Sequence, residues 1–178
     1  MTDVRVVVVD GPDDPRVAEY RDIGDHDRLL GQGLFVAEGR LVVERLIDDK
    51  IPIRSLLLNR AALDALGPRL EHLGRETTTF VAATEDFEQL TGYNIHRGCL
   101  ALAERPAPRL LDEVLFRATS LVVLEGVGNP DNVGGVFRNA SAFGVGAVVL
   151  SHGCVDPLYR KAIRTSMAAT LRVPFTTV

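Results

Sequence analysis

Residues 126–138 combine glycines, two asparagines and one arginine, residue types that suit a loop that binds an anion. Asn129 before Pro130 suits a turn, and Asn132 suits a helix cap; the alternative for each is to position a substrate. Arg138 follows Asn132 by six positions, a little under two helical turns, and we expect both side chains to face the same loop opening. A guanidinium barely deprotonates, so Arg138 is suited to clamping a phosphate rather than to acting as a base. The alternative is an ordinary surface arginine.

A second group of polar side chains is the densest basic cluster in the chain: Arg160, Lys161, Arg164 and Arg172. Arg160 and Arg164 are spaced to share one face of a helix, which favours contact with phosphates over the alternative of a solvated helix. His152 and Cys154 have no further metal-ligating residues nearby, so the sequence predicts no metal site.

These residues fall in a unit of strand, loop, helix and strand. The apolar run Leu121 to Glu125 predicts a buried strand, Val136 to Phe143 a helix, and Ala147 to Leu150 the next strand. In such a unit the loop lies at the carboxyl ends of the strands, where open α/β sheets bind ligands. We expect Asp131 or Asn132 to cap the helix, and the helix N-terminus to offer unpaired N–H groups to an anion.

Other ligand-binding motifs are excluded. Gly126-Val127-Gly128 begins like a dinucleotide fingerprint, but Asp131 stands where the third glycine belongs and Pro130 removes an N–H donor. The sequence contains neither a phosphate-binding P-loop nor the nucleophile motif of α/β hydrolases.

The remainder of the chain alternates between predicted strands and helices, which indicates an α/β fold. Two prolines in the run 105–109 predict an extended connector, so we place a domain border near Pro106 and assign residues 1–106 and 107–178 to two domains. The elements predicted before the border are strands at 4–9, 34–37, 53–58, 77–82 and 98–103, and helices at 13–23, 41–49, 60–73 and 85–90; a helix at 110–118 follows it.

Composition bounds the possible functions. The 178 residues are 46% apolar and 25% charged, as in globular proteins, and contain no apolar run long enough to span a bilayer and no signal peptide, so we expect a cytoplasmic protein. The net charge of −4 argues against nucleic acid as a ligand. However, residues 1–108 carry 13 basic and 19 acidic residues, whereas residues 109–178 carry 7 and 5, so the second part is basic.

Residues 129–140, with Ala142-Phe143-Gly144-Val145 after them, closely resemble the first signature motif of the SpoU-type RNA 2′-O-ribose methyltransferases of the SPOUT superfamily. Residues 156–167 and 171–175 resemble the block that follows the second strand in that family, although Ala168 stands where the family usually has glycine. The two matches occur in the family's order and at family-like spacing.

The resemblance implies transfer of a methyl group from S-adenosylmethionine to a ribose 2′-hydroxyl of structured RNA, ribosomal rather than transfer RNA. It implies catalytic roles for Asn132 and Arg138. The resemblance also implies contact with RNA by Asn129, Arg160, Lys161, Arg164 and Arg172. It also implies a homodimer, in which the motif arginine of one chain faces the cofactor pocket of the other.

The first domain is similar to the auxiliary RNA-binding unit that many of these enzymes carry, a small α/β domain like the ribosomal proteins that bind bent RNA. The similarity rests on residues 33–39 and 41–44, and on residues 93–102 as the closing strand. Relatives tend to be basic before the first of these segments, whereas residues 29–32 are neutral here.

The family's two remaining motifs, which hold S-adenosylmethionine and form the knot, are absent from this sequence. We therefore expect an N-terminal fragment with an incomplete, Rossmann-like SPOUT domain, whose three strands at 121–125, 147–150 and 173–177 leave an open edge. No S-adenosylmethionine is expected to bind to this chain, while weak, salt-sensitive RNA binding should remain. The alternative is a non-catalytic RNA-binding or interaction protein with a degenerate methyltransferase domain.

Overall fold

The computed structural model describes residues 5–21, 23–74, 76–93, 95 and 98–178. The chain divides into two compact units, Met1–Arg105 (unit 1) and Pro106–Val178 (unit 2). Within the predicted segments, Val4, Asp22, Asn94, His96 and Arg97 lie outside the described residues.

Unit 1 is built on a five-stranded mixed sheet. Its strands are β1 (Arg5–Val8), β2 (Leu34–Glu38), β3 (Ile53–Leu58), β4 (Thr78–Val81) and β5 (Cys99–Glu104). The strand order is β1-β4-β3-β5-β2; β1, β4 and β3 run parallel, and β5 is antiparallel to both β3 and β2. The predicted alternation of strands and helices is confirmed, and one antiparallel strand makes the sheet mixed.

The helices of unit 1 are α1 (His26–Gly31), α2 (Arg40–Asp48), α3 (Arg60–Leu70) and α4 (Phe87–Thr91), with 3₁₀ turns at Pro15–Tyr20 and Thr84–Asp86. Helix α2 packs a stripe of Val42, Val43, Leu46 and Ile47 into the core. The prediction of a helix at 13–23 is wrong. The described residues of this segment form a 3₁₀ turn at Pro15–Tyr20, in which Val17 has non-helical dihedral angles. Helix α1, which begins at the cap Asp25, was not predicted.

Unit 2 contains a three-stranded parallel sheet in the order β6-β7-β8, formed by β6 (Leu121–Leu124), β7 (Ala147–Leu150) and β8 (Phe175–Thr177). Its helices are α5 (Leu111–Arg117), α6 (Pro130–Ala142) and α7 (Arg160–Thr165), followed by a 3₁₀ turn at Ala169–Leu171. Val133 and Phe137 of α6 pack against Val148 and Leu150 of β7 in a shared apolar core. Parallel strands joined by helices are the architecture that the sequence predicted for this part of the chain.

The prediction of a buried strand at 121–125 is wrong in one respect. Strand β6 lies at an edge of the sheet, and its alternate side chains Leu121 and Val123 are 42% and 70% exposed. Leu124 faces the apolar core instead. The side chains of β6 therefore have two different environments, which a continuous apolar run does not distinguish.

No helix among the described residues is long and apolar enough to cross a membrane. The same residues contain no group of three or more His, Cys, Asp or Glu side chains placed to hold a metal ion.

Candidate functional site

The glycine-rich loop of residues 125–129 lies at the carboxyl edge of the parallel sheet, as predicted. Strands β6 and β7 run in the same direction, so the loops that follow them emerge at one edge. The two loops are joined by backbone hydrogen bonds from the Ser151 N–H to the Leu124 carbonyl (2.9 Å) and from the Val155 N–H to the Val127 carbonyl (3.0 Å).

Helix α6 begins six residues earlier than predicted, and its cap is Asn129 rather than Asp131 or Asn132. The Asn129 Oδ1 atom accepts hydrogen bonds from the backbone N–H groups of Asp131 (2.8 Å) and Asn132 (3.2 Å). Pro130 occupies the first turn, where its fixed φ favours a helix and its missing N–H costs nothing. Asn129 followed by Pro130 is therefore a signal for the start of a helix, where the sequence predicted a turn.

The first turn of α6 is not the anion site that the sequence predicted. Pro130 has no N–H, the N–H groups of Asp131 and Asn132 are taken by Asn129 Oδ1, and the Val133 N–H bonds to the Asn129 carbonyl at 3.1 Å. The carboxylate of Asp131 also lies in this turn. An anionic ligand must therefore be held by basic side chains rather than by the helix N-terminus.

Arg138 is exposed on α6, and its side chain makes no hydrogen bond or ion pair with the described residues. Asn132 is exposed too, but the prediction that both face one opening is wrong. Six residues within one helix correspond to 600°, which separates the two side chains by about 120° around the axis. Arg138 instead shares a stripe with Asp131 and Gly134, at spacings of seven and four residues.

That stripe faces helix α7. The Thr165 hydroxyl donates a hydrogen bond to Asp131 Oδ1 at 2.7 Å. At Gly134 the helices are so close that a Cβ atom would lie 2.6 Å from the carbonyl oxygen of Ala162. Arg138 thus lies one turn beyond a tight contact between the two helices. Sequence reasoning assigned no role to Asp131, Gly134 or Thr165 in joining the two motifs.

The predicted basic cluster lies on and after α7. Arg160 and Lys161 are half-buried in its first turn, and Arg164 is exposed in its last turn. Arg160 and Arg164 are both within the helix, so their predicted common face is confirmed. Arg172 follows the 3₁₀ turn and is exposed. The α6–α7 contact therefore brings Arg138 to the side of the basic helix, while Asn132 lies about 120° around α6 from Arg138.

Helix α7 ends in two consecutive residues with left-handed backbone, Met167 (φ 54°) and Ala168 (φ 67°). The Met167 N–H bonds to the Arg164 carbonyl and the Ala168 N–H bonds back to the Ile163 carbonyl, which closes the helix in the manner of a Schellman motif. This conformation suits glycine and costs alanine about 1–2 kcal/mol.

We expect Ala168→Gly to be better tolerated than Ala169→Gly. Both alanines are buried, so each substitution loses a similar buried methyl group, but only Ala168 has a positive φ. Relief of backbone strain should leave Ala168→Gly about 1–2 kcal/mol more stable than Ala169→Gly in urea unfolding. An equal decrease in the free energy of unfolding in the two variants would show that the backbone at position 168 is not strained.

Part of unit 2 matches a known protein family. The SpoU rRNA methylase family model matches residues 119–178, the segment that contains α6, α7 and all three strands of unit 2. The predicted resemblance to the SpoU family is confirmed. An uncharacterized tRNA/rRNA methyltransferase of Mycobacterium tuberculosis is 37% identical over 168 residues, which are 92% of this chain and 58% of that relative. The 23S rRNA (guanosine-2′-O-)-methyltransferase RlmB of Vibrio vulnificus is 32% identical over 122 residues, which are 65% of this chain and 45% of that relative.

The fold is consistent with the SpoU match. An AdoMet-bound rRNA methyltransferase from Sinorhizobium meliloti superposes with a TM-score of 0.79 at 20% identity, over 97% of this chain and 64% of that chain. The mixed α/β fold with a parallel sheet thus resembles that of the SPOUT methyltransferases. The chain spans about three-fifths of the length of the mycobacterial relative that it matches.

Proposed function

We propose that this chain belongs to an S-adenosylmethionine-dependent methyltransferase that acts on a ribose 2′-hydroxyl of RNA, with ribosomal RNA as its substrate. The observation that carries the proposal is the close contact of α6 with α7, which brings the guanidinium of Arg138, unpaired among the described residues, beside a basic helix. Relatives named as rRNA and tRNA/rRNA methyltransferases support this reaction class, and the Vibrio vulnificus relative, named for 2′-O methylation of 23S rRNA, supports the hydroxyl and the RNA.

In this proposal Arg138 holds the phosphate next to the target ribose and orients its 2′-hydroxyl. The side chain is suited to this because it is exposed, its N–H donors make no hydrogen bond with any residue that the structure describes, and its guanidinium is permanently charged. The same permanent charge makes it a poor proton acceptor, so its contribution is positioning and electrostatic stabilisation.

Asn129 and Asn132 have different parts in the proposal. Asn129 fixes the start of α6 through its two hydrogen bonds, and its exposed amide lies where the glycine-rich loop meets the helix. Asn132 contacts the RNA from a different face of α6, about 120° around the helix axis from Arg138. Arg160, Lys161, Arg164 and Arg172 bind the phosphates that flank the target nucleotide.

One cavity of unit 2 does not fit S-adenosylmethionine. This cavity, of about 590 Å³, is lined by Arg109, Asp112, Glu113, Phe116 and Arg117, which belong to α5 and the residues beside it. A single helix cannot enclose a ligand that needs apolar walls and converging polar groups on several sides. The methyl donor, when bound, supplies the methyl group.

We further propose that residues 1–106 bind the RNA substrate and that residues 107–178 are the N-terminal part of the methyltransferase domain. The active assembly is a homodimer in this proposal. The support for a binding role of unit 1 comes from exposed arginines, among them Arg40, Arg54 and Arg60. Their ion pairs with acidic residues lie at the surface and are weak, so these arginines can exchange their partners for RNA phosphates.

The proposal predicts that RNA binding depends on the charge of α7. Titration of the chain with a ribosomal RNA fragment at two salt concentrations should give a salt-dependent affinity. In the Lys161→Ala/Arg164→Ala double variant the slope of log affinity against log salt should fall by about one for each phosphate contact that is lost.

The matched control is Arg109→Ala/Arg117→Ala, which removes the same charge from exposed positions in and beside α5 of the same unit. Its slope should equal that of the natural chain. Equal slopes in both double variants would contradict phosphate binding by α7.

A further inference from the structure

We infer that Cys154 is a positioning residue whose thiol holds the glycine-rich loop in the shape that the proposed reaction needs. The inference rests on the proposed function and adds a residue outside α6 and α7. Cys154 Sγ accepts a hydrogen bond from the Val127 N–H (3.3 Å) and donates one to the Leu124 carbonyl (3.2 Å). The thiol thus bridges the two backbone groups that a tight turn would otherwise pair with each other.

Ser151 provides a second anchor for the same turn. Its hydroxyl oxygen accepts a hydrogen bond from the Gly126 N–H at 3.0 Å and lies 3.7 Å from Cys154 Sγ. The backbone N–H of Ser151 also bonds to the Leu124 carbonyl. The loop after β7 therefore fixes four backbone groups at the start of the loop after β6, because the Val155 N–H also bonds to the Val127 carbonyl.

The far end of the glycine-rich loop is fixed by the Asn129 cap, only two residues beyond Val127. Within the turn from Leu124 to Val127, Gly126 has a positive φ of 63°, a conformation that glycine adopts without strain. Because so few residues separate the two anchors, a shift at Val127 displaces Asn129 and the first turn of α6. Release of the thiol contacts should therefore disturb the end of the helix that meets α7.

A purely apolar role is the competing explanation, since Cys154 is half-buried and packs against the core of unit 2. Two substitutions separate the roles. Serine keeps a donor and an acceptor but loses the apolar sulfur, whereas alanine stays apolar and loses both hydrogen bonds. Positioning predicts that serine restores the natural behaviour; packing predicts that it does not.

The test measures amide hydrogen exchange at Val127 in the 178-residue chain, together with its affinity for a ribosomal RNA fragment. In Cys154→Ala we expect exchange at Val127 to be about tenfold faster and the RNA affinity to fall about tenfold, since one hydrogen bond at this site contributes on that scale. In Cys154→Ser both quantities should stay within about threefold of their natural values. The control is Cys99→Ala in β5 of unit 1, which should leave Val127 exchange unchanged.

The outcomes separate the inference from the proposed function. If Cys154→Ser behaves like Cys154→Ala, the thiol acts by packing and the inference is overturned. If Val127 exchange accelerates in Cys154→Ala without loss of RNA affinity, the loop needs no positioning and the inference is overturned while the proposed function stands. If the natural chain binds no ribosomal RNA, the proposed function fails first, and the inference fails with it.

Discussion

Replacing Arg138 with alanine is expected to reduce methyl transfer to RNA at least a hundredfold. The guanidinium is exposed, makes no hydrogen bond with the described residues and lies on the stripe of α6 that meets α7. Loss of a charged donor that orients the reacting group has effects of about this size in enzymes. The measurement is transfer of tritium from labelled S-adenosylmethionine to ribosomal RNA by the product of the complete gene.

The control for this variant is Asn139→Ala, the next residue, which is also exposed on α6. It should keep nearly full activity. Arg138 is exposed and makes no hydrogen bond or ion pair with the described residues. The alanine variant should therefore also unfold at the same urea concentration as the natural protein. Undiminished methyl transfer by Arg138→Ala would remove Arg138 from the catalytic site.

A methyl group at Gly134 is expected to separate the two helices of the candidate site. The added Cβ of Gly134→Ala would lie 2.6 Å from the Ala162 carbonyl oxygen, 2.9 Å from Thr165 Cβ and 3.1 Å from the Ser166 N. Two of these three atoms belong to the backbone, so α7 itself must move. We expect the free energy of unfolding to fall by about 1–3 kcal/mol, as for other overpacked sites, and the RNA affinity to fall with it.

Gly135 offers a matched control, because it is the next residue of α6 and a Cβ atom there would meet no atom within 4 Å. Gly135→Ala should be neutral or raise the free energy of unfolding by up to about 1 kcal/mol, since alanine favours a helix over glycine. Urea unfolding of both variants measures the difference. Equal stabilities would contradict a tight contact between α6 and α7.

Much of the fold was predictable from local pattern. Strands β3 and β7 have the predicted bounds because each is short and has turn residues on both sides; β7 is wholly apolar, and β3 is apolar except for Arg54 and Ser55. The start of α6 was missed because Gly134 and Gly135 weigh against a helix in sequence reasoning, although Asn129 and Pro130 form a strong start signal. In the structure Gly134 is favoured by tertiary packing, which overrides its low helix propensity.

The arrangement of the site was less predictable than its residue content. Arg138 and the basic residues of α7 were predicted as site residues from the sequence, but Arg138 was predicted to face the same opening as Asn132. The correct neighbours follow from the Asp131–Thr165 hydrogen bond and the Gly134 contact, which join segments about thirty residues apart in the sequence. Similarly, the thiol of Cys154 contacts Val127, 27 positions earlier. Such contacts depend on how parallel strands set the loops side by side, and no local pattern encodes them.

The most direct test of the central claim is to locate the methyl group on the RNA. Ribosomal RNA methylated with tritiated S-adenosylmethionine by the product of the complete gene should be digested with alkali, which cleaves the RNA only where a free 2′-hydroxyl is present. We predict that the tritium appears in alkali-resistant dinucleotides, because a 2′-O-methyl group blocks cleavage. Tritium in mononucleotides would place the methyl group on a base, and RNA binding without any transfer would favour a non-catalytic RNA-binding protein; either result would contradict ribose 2′-O methylation.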